Sequence, residues 1–138
     1  MAVYRTQMQV LSSRVLLRPS DMDAAIDFYE RRLGLVRYRE WGDRPHRGIV
    51  YFLGGGYLEL TETPPHRPRP DAPAGFRLWL QVADVARACD ELVARGVALT
   101  DRPERKPWGL LEAVVHDPDG VELVLVETPI DHPLRRRD

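Results

Sequence analysis

The segment HDPDGVELVLVE, His116 to Glu127, contains a tight turn followed by a strand. Residues 117–120, DPDG, form a turn sequence because proline presets its own φ, aspartate side chains bond to nearby backbone and glycine accepts a positive φ. The apolar, largely β-branched residues after the turn are typical of a buried strand. Side chains alternate along a strand, so Val124 faces the same way as Glu122. The segment therefore predicts the second half of a hairpin whose first half is LLEAVVHD (110–117).

The N-terminal half predicts a short strand followed by a helix. RVLLR (14–18) has the length and composition of a strand. Ser20 is expected to cap the helix, with Asp23 three residues later as a capping-box partner. Glycine at 34 is the expected helix stop. Between these ends the apolar residues recur at helical spacing, namely Met22, Ile26, Tyr29 and Leu33.

Three further strands are predicted after this helix. They are LVRYREW (35–41), GIVYFL (48–53) and YLELTE (57–62). The three glycines at 54–56 are expected to form the hairpin turn between the last two strands, because glycine relieves the steric limits of a tight turn. The order of elements is thus strand, helix and three strands.

The same order restarts after a proline-rich segment. Residues 63–75 contain too many prolines for a helix or a strand and are predicted to be a linker. RLWLQV (77–82) is the next strand, and Asp84 is the expected cap of a helix that ends at Gly96. DRPERKPWG (101–109) is expected to be a loop that leads into the final hairpin.

The repeat predicts one α+β domain, residues 1–138, built from two βαβββ modules. Module one covers residues 12–62 and module two covers residues 76–128. Arg14 and Arg77 open the two modules and lie 63 positions apart. Two copies are too few for a solenoid, so the expected fold is a pair of mixed sheets in one domain.

The composition excludes several classes of protein. The chain has 138 residues, 43% of them hydrophobic and 30% charged, which is close to the globular average. A net charge of −1 gives no indication of nucleic-acid binding, and no apolar run approaches the length of a membrane span. Cys89 is the single cysteine, which excludes an internal disulfide, and we expect a cytoplasmic location.

The paired modules resemble the vicinal oxygen chelate superfamily, which includes glyoxalases, bleomycin-resistance proteins and extradiol dioxygenases. The segments that carry the resemblance are RPSDMDAAIDFYERRLGL (18–35), YLELTE (57–62), QVADVARACDELVARGV (81–97) and HDPDGVELVLVE (116–127). The resemblance implies curved mixed sheets around a concave binding face. It also implies a two-fold homodimer, because members of this family commonly exchange modules between chains.

In the metal-using members of this superfamily, four inward-pointing residues hold a divalent ion. Matched strand to strand, those positions fall here on Arg14, Glu59, Arg77 and Val124. Arginine stays protonated and has no lone pair to donate, and valine has no ligand atom. Only Glu59 can therefore bind a metal, whereas a site of this kind needs about three protein ligands. We therefore predict that the protein binds no metal ion and no other cofactor.

The resemblance is closer to the metal-free bleomycin-resistance branch. The matching features are Trp79 in LWLQV and Trp108 in KPWGLLEA. That branch is known for an acidic groove, whereas Arg14 and Arg77 place cations on the inward face of this chain. The resemblance therefore implies ligand binding without transformation, and the charge difference leaves the identity of the ligand open.

Alternation along the strands assigns the inward face. If Arg14 faces inward, Leu16 and Arg18 do so as well, and Tyr57 shares the face of Glu59. The same rule places Trp79 beside Arg77. Glu59 has two interpretations of equal weight, a structural ion pair with the arginines or a contact with the ligand.

The facing of the middle strands is left open for Tyr38 and Trp41, and Phe52 is assigned to the core. The complete predicted ligand-binding set is Arg14, Leu16, Arg18, Tyr38, Trp41, Tyr57, Glu59, Arg77, Trp79, Trp108 and Val124. We expect Trp108 to lie on a flap formed by residues 101–109.

The inward set suits the binding of a flat ligand, because it combines aromatic rings with guanidinium groups. No catalytic residue is assigned, since flanking arginines make Glu59 a poor general base. The predicted function is sequestration of a bulky aromatic small molecule, an antibiotic of the bleomycin or enediyne kind, which would confer resistance. The alternatives are a metal-dependent lyase, isomerase or dioxygenase and, third, a metal-free enzyme that uses Glu59. A homodimer and a small-molecule ligand are the expected partners.

Overall fold

A computed structural model describes residues 8–62 and 75–133. Each module contains one strand, one helix and three strands, as the sequence predicts. The bounds in module one are β1 Arg14–Leu17, α1 Met22–Ile26, β2 Arg37–Trp41, β3 Gly48–Leu53 and β4 Gly56–Thr61. Those in module two are β5 Arg77–Gln81, α2 Val85–Ala94, β6 Asp101–Arg105, β7 Leu111–His116 and β8 Glu122–Glu127. Nearly all of the predicted linker, 63–74, lies outside the described residues.

Each module forms one four-stranded mixed sheet with the same topology. The strand orders are β1-β4-β3-β2 and β5-β8-β7-β6. The first strand of each module runs parallel to the last, and the remaining pairs are antiparallel. The register places Leu16 opposite Glu59 and Trp79 opposite Val124. The predicted α+β fold with two βαβββ modules is confirmed.

Helix α1 begins one residue later than the predicted cap. Asp21, in extended conformation, accepts a hydrogen bond from the Ala24 backbone N–H at 3.1 Å and is the N-cap. Ser20 was the expected cap, and this expectation is wrong. The Ser20 hydroxyl and amide instead donate to the Asp119 carboxylate in module two. Asp84 caps α2 as predicted.

The first helix widens in its second half. Residues Asp27–Arg32 form π-helical turns, in which the Leu33 amide donates to the Phe28 carbonyl at 2.8 Å. Both helical segments are followed by a glycine with positive φ, +80° at Gly34 and +85° at Gly96. These are the conformations that a glycine stop signal predicts.

One apolar core joins the two modules. Helix residues such as Ile26 and Leu92 pack with residues from both sheets in a single cluster. The Tyr29 hydroxyl donates to the Asp117 carboxylate at 2.7 Å in a buried contact between module one and the DPDG turn of module two. Asp117 also accepts two backbone N–H bonds at 2.8 Å within its own turn. The turn is therefore fixed to the first helix by a fully bonded aspartate.

Part of the segment predicted as a loop is a strand. Asp101–Arg105 forms β6, which pairs with β7 at the edge of the second sheet. The prediction failed because the segment is fully exposed and carries charged residues and a proline, which sequence patterns associate with loops. Pairing with the strongly apolar β7 supplies the structure that local propensity does not.

No helix among the residues that the structure describes is long and apolar enough to cross a membrane.

Removal of the Tyr29 hydroxyl tests the link between the modules. We expect Tyr29→Phe to lower the free energy of unfolding by about 1–3 kcal/mol, because a buried carboxylate loses one hydrogen-bond donor. Chemical denaturation measures the change. Tyr38→Phe is the matched control, since the Tyr38 side chain is largely exposed. An equal loss in both variants would show that the interaction with Asp117 contributes nothing specific.

Candidate functional site

The face of each sheet turned away from its helix is here called the open face. On module one it carries Arg14 and Leu16 from β1 and the alternate residues Tyr57 and Glu59 from β4, whereas Leu58 and Leu60 enter the core. Leu16 is 64% exposed, which is unusual for a strand leucine. The open faces are therefore the surfaces available to a ligand or a partner.

Arg14 and Glu59 form an ion pair on the open face of module one. The Arg14 Nη1 donates to the Glu59 Oε1 at 2.7 Å. The Thr61 hydroxyl donates to the other carboxylate oxygen at 3.2 Å. The Arg14 guanidinium also lies 5.6 Å from the centre of the Tyr57 ring, within the range of a cation–π contact. These contacts hold both side chains flat against the sheet.

Three aromatic rings form a platform beside this pair. Tyr38, Phe52 and Tyr57 have ring centroids 5.0 to 5.9 Å apart, within the usual range for aromatic pairs. Tyr38 is 48% exposed and Phe52 is 45% exposed. The assignment of Phe52 to the core is therefore wrong. Its strand neighbours Ile49 and Tyr51 are the buried ones, so Phe52 has the opposite facing.

Trp41 ends the platform at the edge of the sheet. It lies opposite Gly48 in the pairing of β2 with β3. The indole covers that glycine so closely that an added Cβ would meet the ring at 2.1 Å. Arg18, in contrast, follows the end of β1 at Leu17, so strand alternation does not assign its facing.

The open face of module two carries a second ion pair. The Arg77 Nε lies 3.4 Å from the Glu122 Oε2, and these residues are register partners on β5 and β8. The His116 Nε2 lies 3.9 Å from the other Glu122 oxygen, and the His116 Nδ1 hydrogen-bonds with the Thr100 hydroxyl at 2.6 Å. Arg77 is thus partly neutralised, as Arg14 is.

Val124 belongs to a small apolar cluster on this face. It is buried with Leu110 and Val126, apart from the main core. Trp108 lies beside the cluster, and its indole N–H donates to the Glu112 carboxylate at 2.5 Å. Trp108 is 58% exposed, whereas Glu112 is only 8% exposed. The indole is therefore tethered through its N–H, while more than half of the residue remains exposed.

A groove of about 780 Å³ separates the two modules. Phe52 of the aromatic platform and Trp79 of module two both line it, and Trp79 is 51% exposed. Apolar residues of α2 and β5 form much of its wall, while Glu91 and Arg95 provide charge. Volumes in this range are typical of sites for small organic molecules.

The four positions that hold metal in related folds do not fit a metal ion. Arg14 and Arg77 are cations, Val124 is buried in an apolar cluster, and Glu59 is already bonded to Arg14. Within 8–62 and 75–133, no group of three or more histidine, cysteine, aspartate or glutamate residues is placed to hold a metal ion. The donor chemistry of these four side chains cannot supply a coordination sphere.

The sequence did not identify several residues of the two faces. Phe52 and Glu112 line the open faces but were not predicted there, whereas alternation had placed Glu122 on the face of Val124. Alternation from Glu59 through the hairpin would have found Phe52, because it pairs with Tyr57. The facing of Tyr38 had no such signal, since β2 contains a bulge between Arg37 and Arg39.

Comparison of the sequence with known proteins identifies its family. Residues 12–125 match the model of the Glyoxalase/Bleomycin resistance protein/Dioxygenase superfamily. A probable lactoylglutathione lyase from Vibrio cholerae is 27% identical over 124 residues, which cover 85% of this chain and 90% of the relative.

Solved structures give the same result. TnmS3, described as an antibiotic binding protein from a Streptomyces species, is 28% identical with a TM-score of 0.67 over 91% of this chain and 100% of that one. A superfamily member from Sphaerobacter thermophilus is 27% identical with a TM-score of 0.67 over 88% of this chain and 99% of that one. The family match, the fold and the paired open faces together place this chain in the glyoxalase/bleomycin resistance protein/dioxygenase superfamily.

Proposed function

We propose that this protein binds a flat, partly aromatic small molecule without a metal ion and sequesters it without converting it. The observation that carries the proposal is the ion pair between Arg14 and Glu59, which occupy two of the superfamily's four metal positions beside exposed aromatic rings. The ligand class is an antibiotic of the bleomycin or enediyne kind, and the biological role is resistance in the cytoplasm.

The aromatic residues can supply the binding energy. Each well-made aromatic contact contributes about 0.5–1.5 kcal/mol beyond the burial of area. The groove offers Phe52 and Trp79, the platform adds Tyr38 and Tyr57, and Trp108 is more than half exposed. Several such contacts together with area burial reach the roughly 8 kcal/mol that corresponds to micromolar affinity.

The charged groups support binding better than catalysis. A general base needs a carboxylate that is free to accept a proton, and the Glu59 oxygens are bonded to Arg14 and Thr61. Burial raises the pKa of the Cys89 thiol, so this side chain is a poor nucleophile. The guanidinium groups of Arg14 and Arg77 remain suited to stacking on a ring or to contact with a phenolate or carboxylate.

A two-fold homodimer is part of the proposal. Leu16, Tyr38 and Trp79 leave large apolar side chains exposed on the open faces. Exposed apolar patches of this kind are typical of interaction surfaces. A dimer that brings module one of one chain beside module two of its partner would cover them and enclose each ligand site from both sides.

The relatives support two functions. TnmS3 is described as an antibiotic binding protein, which favours sequestration. The relative from Vibrio cholerae is described as a probable lactoylglutathione lyase, which favours a metal-dependent lyase as the second candidate. The metal content of the protein distinguishes the two, because the lyase candidate requires a bound ion at the open face.

Removal of individual tryptophans tests the binding site. We expect fluorescence titration of the wild type with bleomycin, an enediyne and anthraquinone-2-sulfonate to reveal at least one ligand with micromolar affinity. Trp79→Ala and Trp108→Ala should each weaken it about twofold to tenfold, because each removes one aromatic contact. Val93→Ala is the control, since Val93 is exposed on α2 outside the groove. Unchanged affinity in both tryptophan variants would show that the site lies elsewhere.

Introduction of metal-ligating residues tests the prediction that the wild-type open faces bind no metal ion. We expect the melting temperature of the wild type to stay unchanged when Zn²⁺ or Ni²⁺ is added. The variant Arg14→His/Arg77→His/Val124→Glu supplies four donors with Glu59 and should gain several degrees on metal addition, which EDTA reverses. Arg14→His alone is the control. Stoichiometric metal in wild-type protein purified without chelator would contradict sequestration without metal and favour the lyase.

A further inference from the structure

Gly48 and Glu112 occupy equivalent positions in the two modules. Each lies two residues before a valine, Val50 or Val114, that pairs with one of the matched positions on the last strand of its module. Residues two apart on a strand share a face, so both positions belong to the open faces. The two modules carry very different residues here, a glycine and a glutamate.

A tryptophan side chain contacts the residue at each of these positions. In module one the Trp41 indole rests on Gly48, where an added Cβ would lie 2.1 and 2.2 Å from two ring carbons. Gly48 is buried and has no positive φ, so the backbone itself does not require glycine. The need for glycine comes from the close approach of the indole.

In module two the indole is held by a hydrogen bond. The Trp108 Nε1 donates to the Glu112 Oε2, and Glu112 forms no ion pair in the part of the chain that the structure describes. A nearly buried carboxylate without a cation is costly, because it loses most of its hydration. As a purely structural element it would be a poor choice beside Leu110 and Val126.

The backbone around Trp108 is also fixed. The Lys106 amide donates to the Leu110 carbonyl, and the Gly109 amide donates to the Lys106 carbonyl, each at 2.8 Å. A ring nitrogen of His132 lies 3.2 Å from the Trp108 carbonyl oxygen. The indole thus extends from a closed turn with its N–H already bonded.

We propose that Gly48 and Glu112 are positioning residues that hold the Trp41 and Trp108 indoles in place as end walls of the two open faces. The inference rests on the proposed function, because it gives these walls the role of stacking on a flat, extended aromatic ligand. A ring that is fixed before binding loses little conformational entropy on contact, which strengthens binding. Glu112 therefore acts through Trp108 and does not itself need to touch the ligand.

The indole N–H resonances in a ¹H–¹⁵N NMR spectrum test the positioning directly, without any ligand. Tryptophan-to-phenylalanine variants assign the three signals. We expect Gly48→Ala to shift the Trp41 signal alone. Glu112→Ala should shift the Trp108 signal alone, towards the position of a solvent-exposed indole, and Glu112→Gln should keep it bonded because the amide oxygen still accepts.

Two matched variants serve as controls. Gly55→Ala adds a methyl group where no other atom lies within 4 Å. Asp90→Asn removes a carboxylate from the exposed side of α2. Neither control should move either signal. If Gly48→Ala or Glu112→Ala leaves its indole signal in place, the assignment of a positioning role to that residue is overturned.

Titration with anthraquinone-2-sulfonate and bleomycin then tests the role in binding. Gly48→Ala and Glu112→Ala should each weaken the affinity about twofold to tenfold, whereas Glu112→Gln should bind nearly as the wild type does. In a Trp108→Ala background, Glu112→Ala should have no further effect. Displaced indoles with unchanged affinity would overturn the role of the walls. Absence of binding to the wild type would instead overturn the proposed function, while the NMR result on positioning stands.

Discussion

The buried hydrogen bond from Tyr29 to Asp117 links the two halves of this chain across the apolar core that they share. Each module alone is a sheet with one helix, and its apolar face needs a second layer. The bond fixes the DPDG turn of module two against the first helix of module one at 2.7 Å. Burial raises the pKa of the Tyr29 hydroxyl, and the adjacent Asp117 carboxylate raises it further, so the phenol stays a donor at any physiological pH. Together with the apolar core that the two modules share, this contact holds them in the arrangement that leaves the groove between them.

The open faces consist of the strand residues whose side chains point away from the core. Strand alternation gives Leu58 and Leu60 to the core and leaves Tyr57 and Glu59 outside it. On such a face a cluster of carboxylates and imidazoles would attract a metal ion. Here Arg14 and Arg77 occupy two of the four positions that hold metal in related proteins, and each forms an ion pair with a glutamate. The result is a surface with fixed charges and exposed aromatic rings.

Much of the fold could be predicted from the sequence, and the reasons are local. Helix caps, glycine stops and alternating strands report directly on backbone geometry, so the two βαβββ modules and both helices were found. The wrong assignments arose where tertiary contacts decide. Ser20 bonds to Asp119 in the other module, so Asp21 caps the helix instead. β6 is a strand only because β7 lies beside it.

The candidate site was predictable only in part. Positions on β1, β4 and β5 follow from alternation, and the structure brings Arg14, Tyr57 and Glu59 together as expected. The bulge in β2 breaks the alternation, so the facing of Tyr38 could not be derived. The sequence also gave no indication that Glu112 belongs to the site, because its contact with Trp108 depends on the turn that carries this tryptophan. These two features depend on backbone irregularities that no sequence period records.

The two edge strands of each sheet differ in how strongly their side chains discourage pairing with a further strand. Among the described residues, β2 and β6 each pair on one side only, and both are rich in charge, with a proline inside β6. Charges and proline discourage the addition of another strand. β1 and β5, RVLL and RLWLQ, also have one free side but lack such protection apart from their first arginine. Among the described strands, the β2 and β6 edges are therefore protected against fibre-like growth, whereas β1 and β5 keep main-chain donors and acceptors available for a further strand.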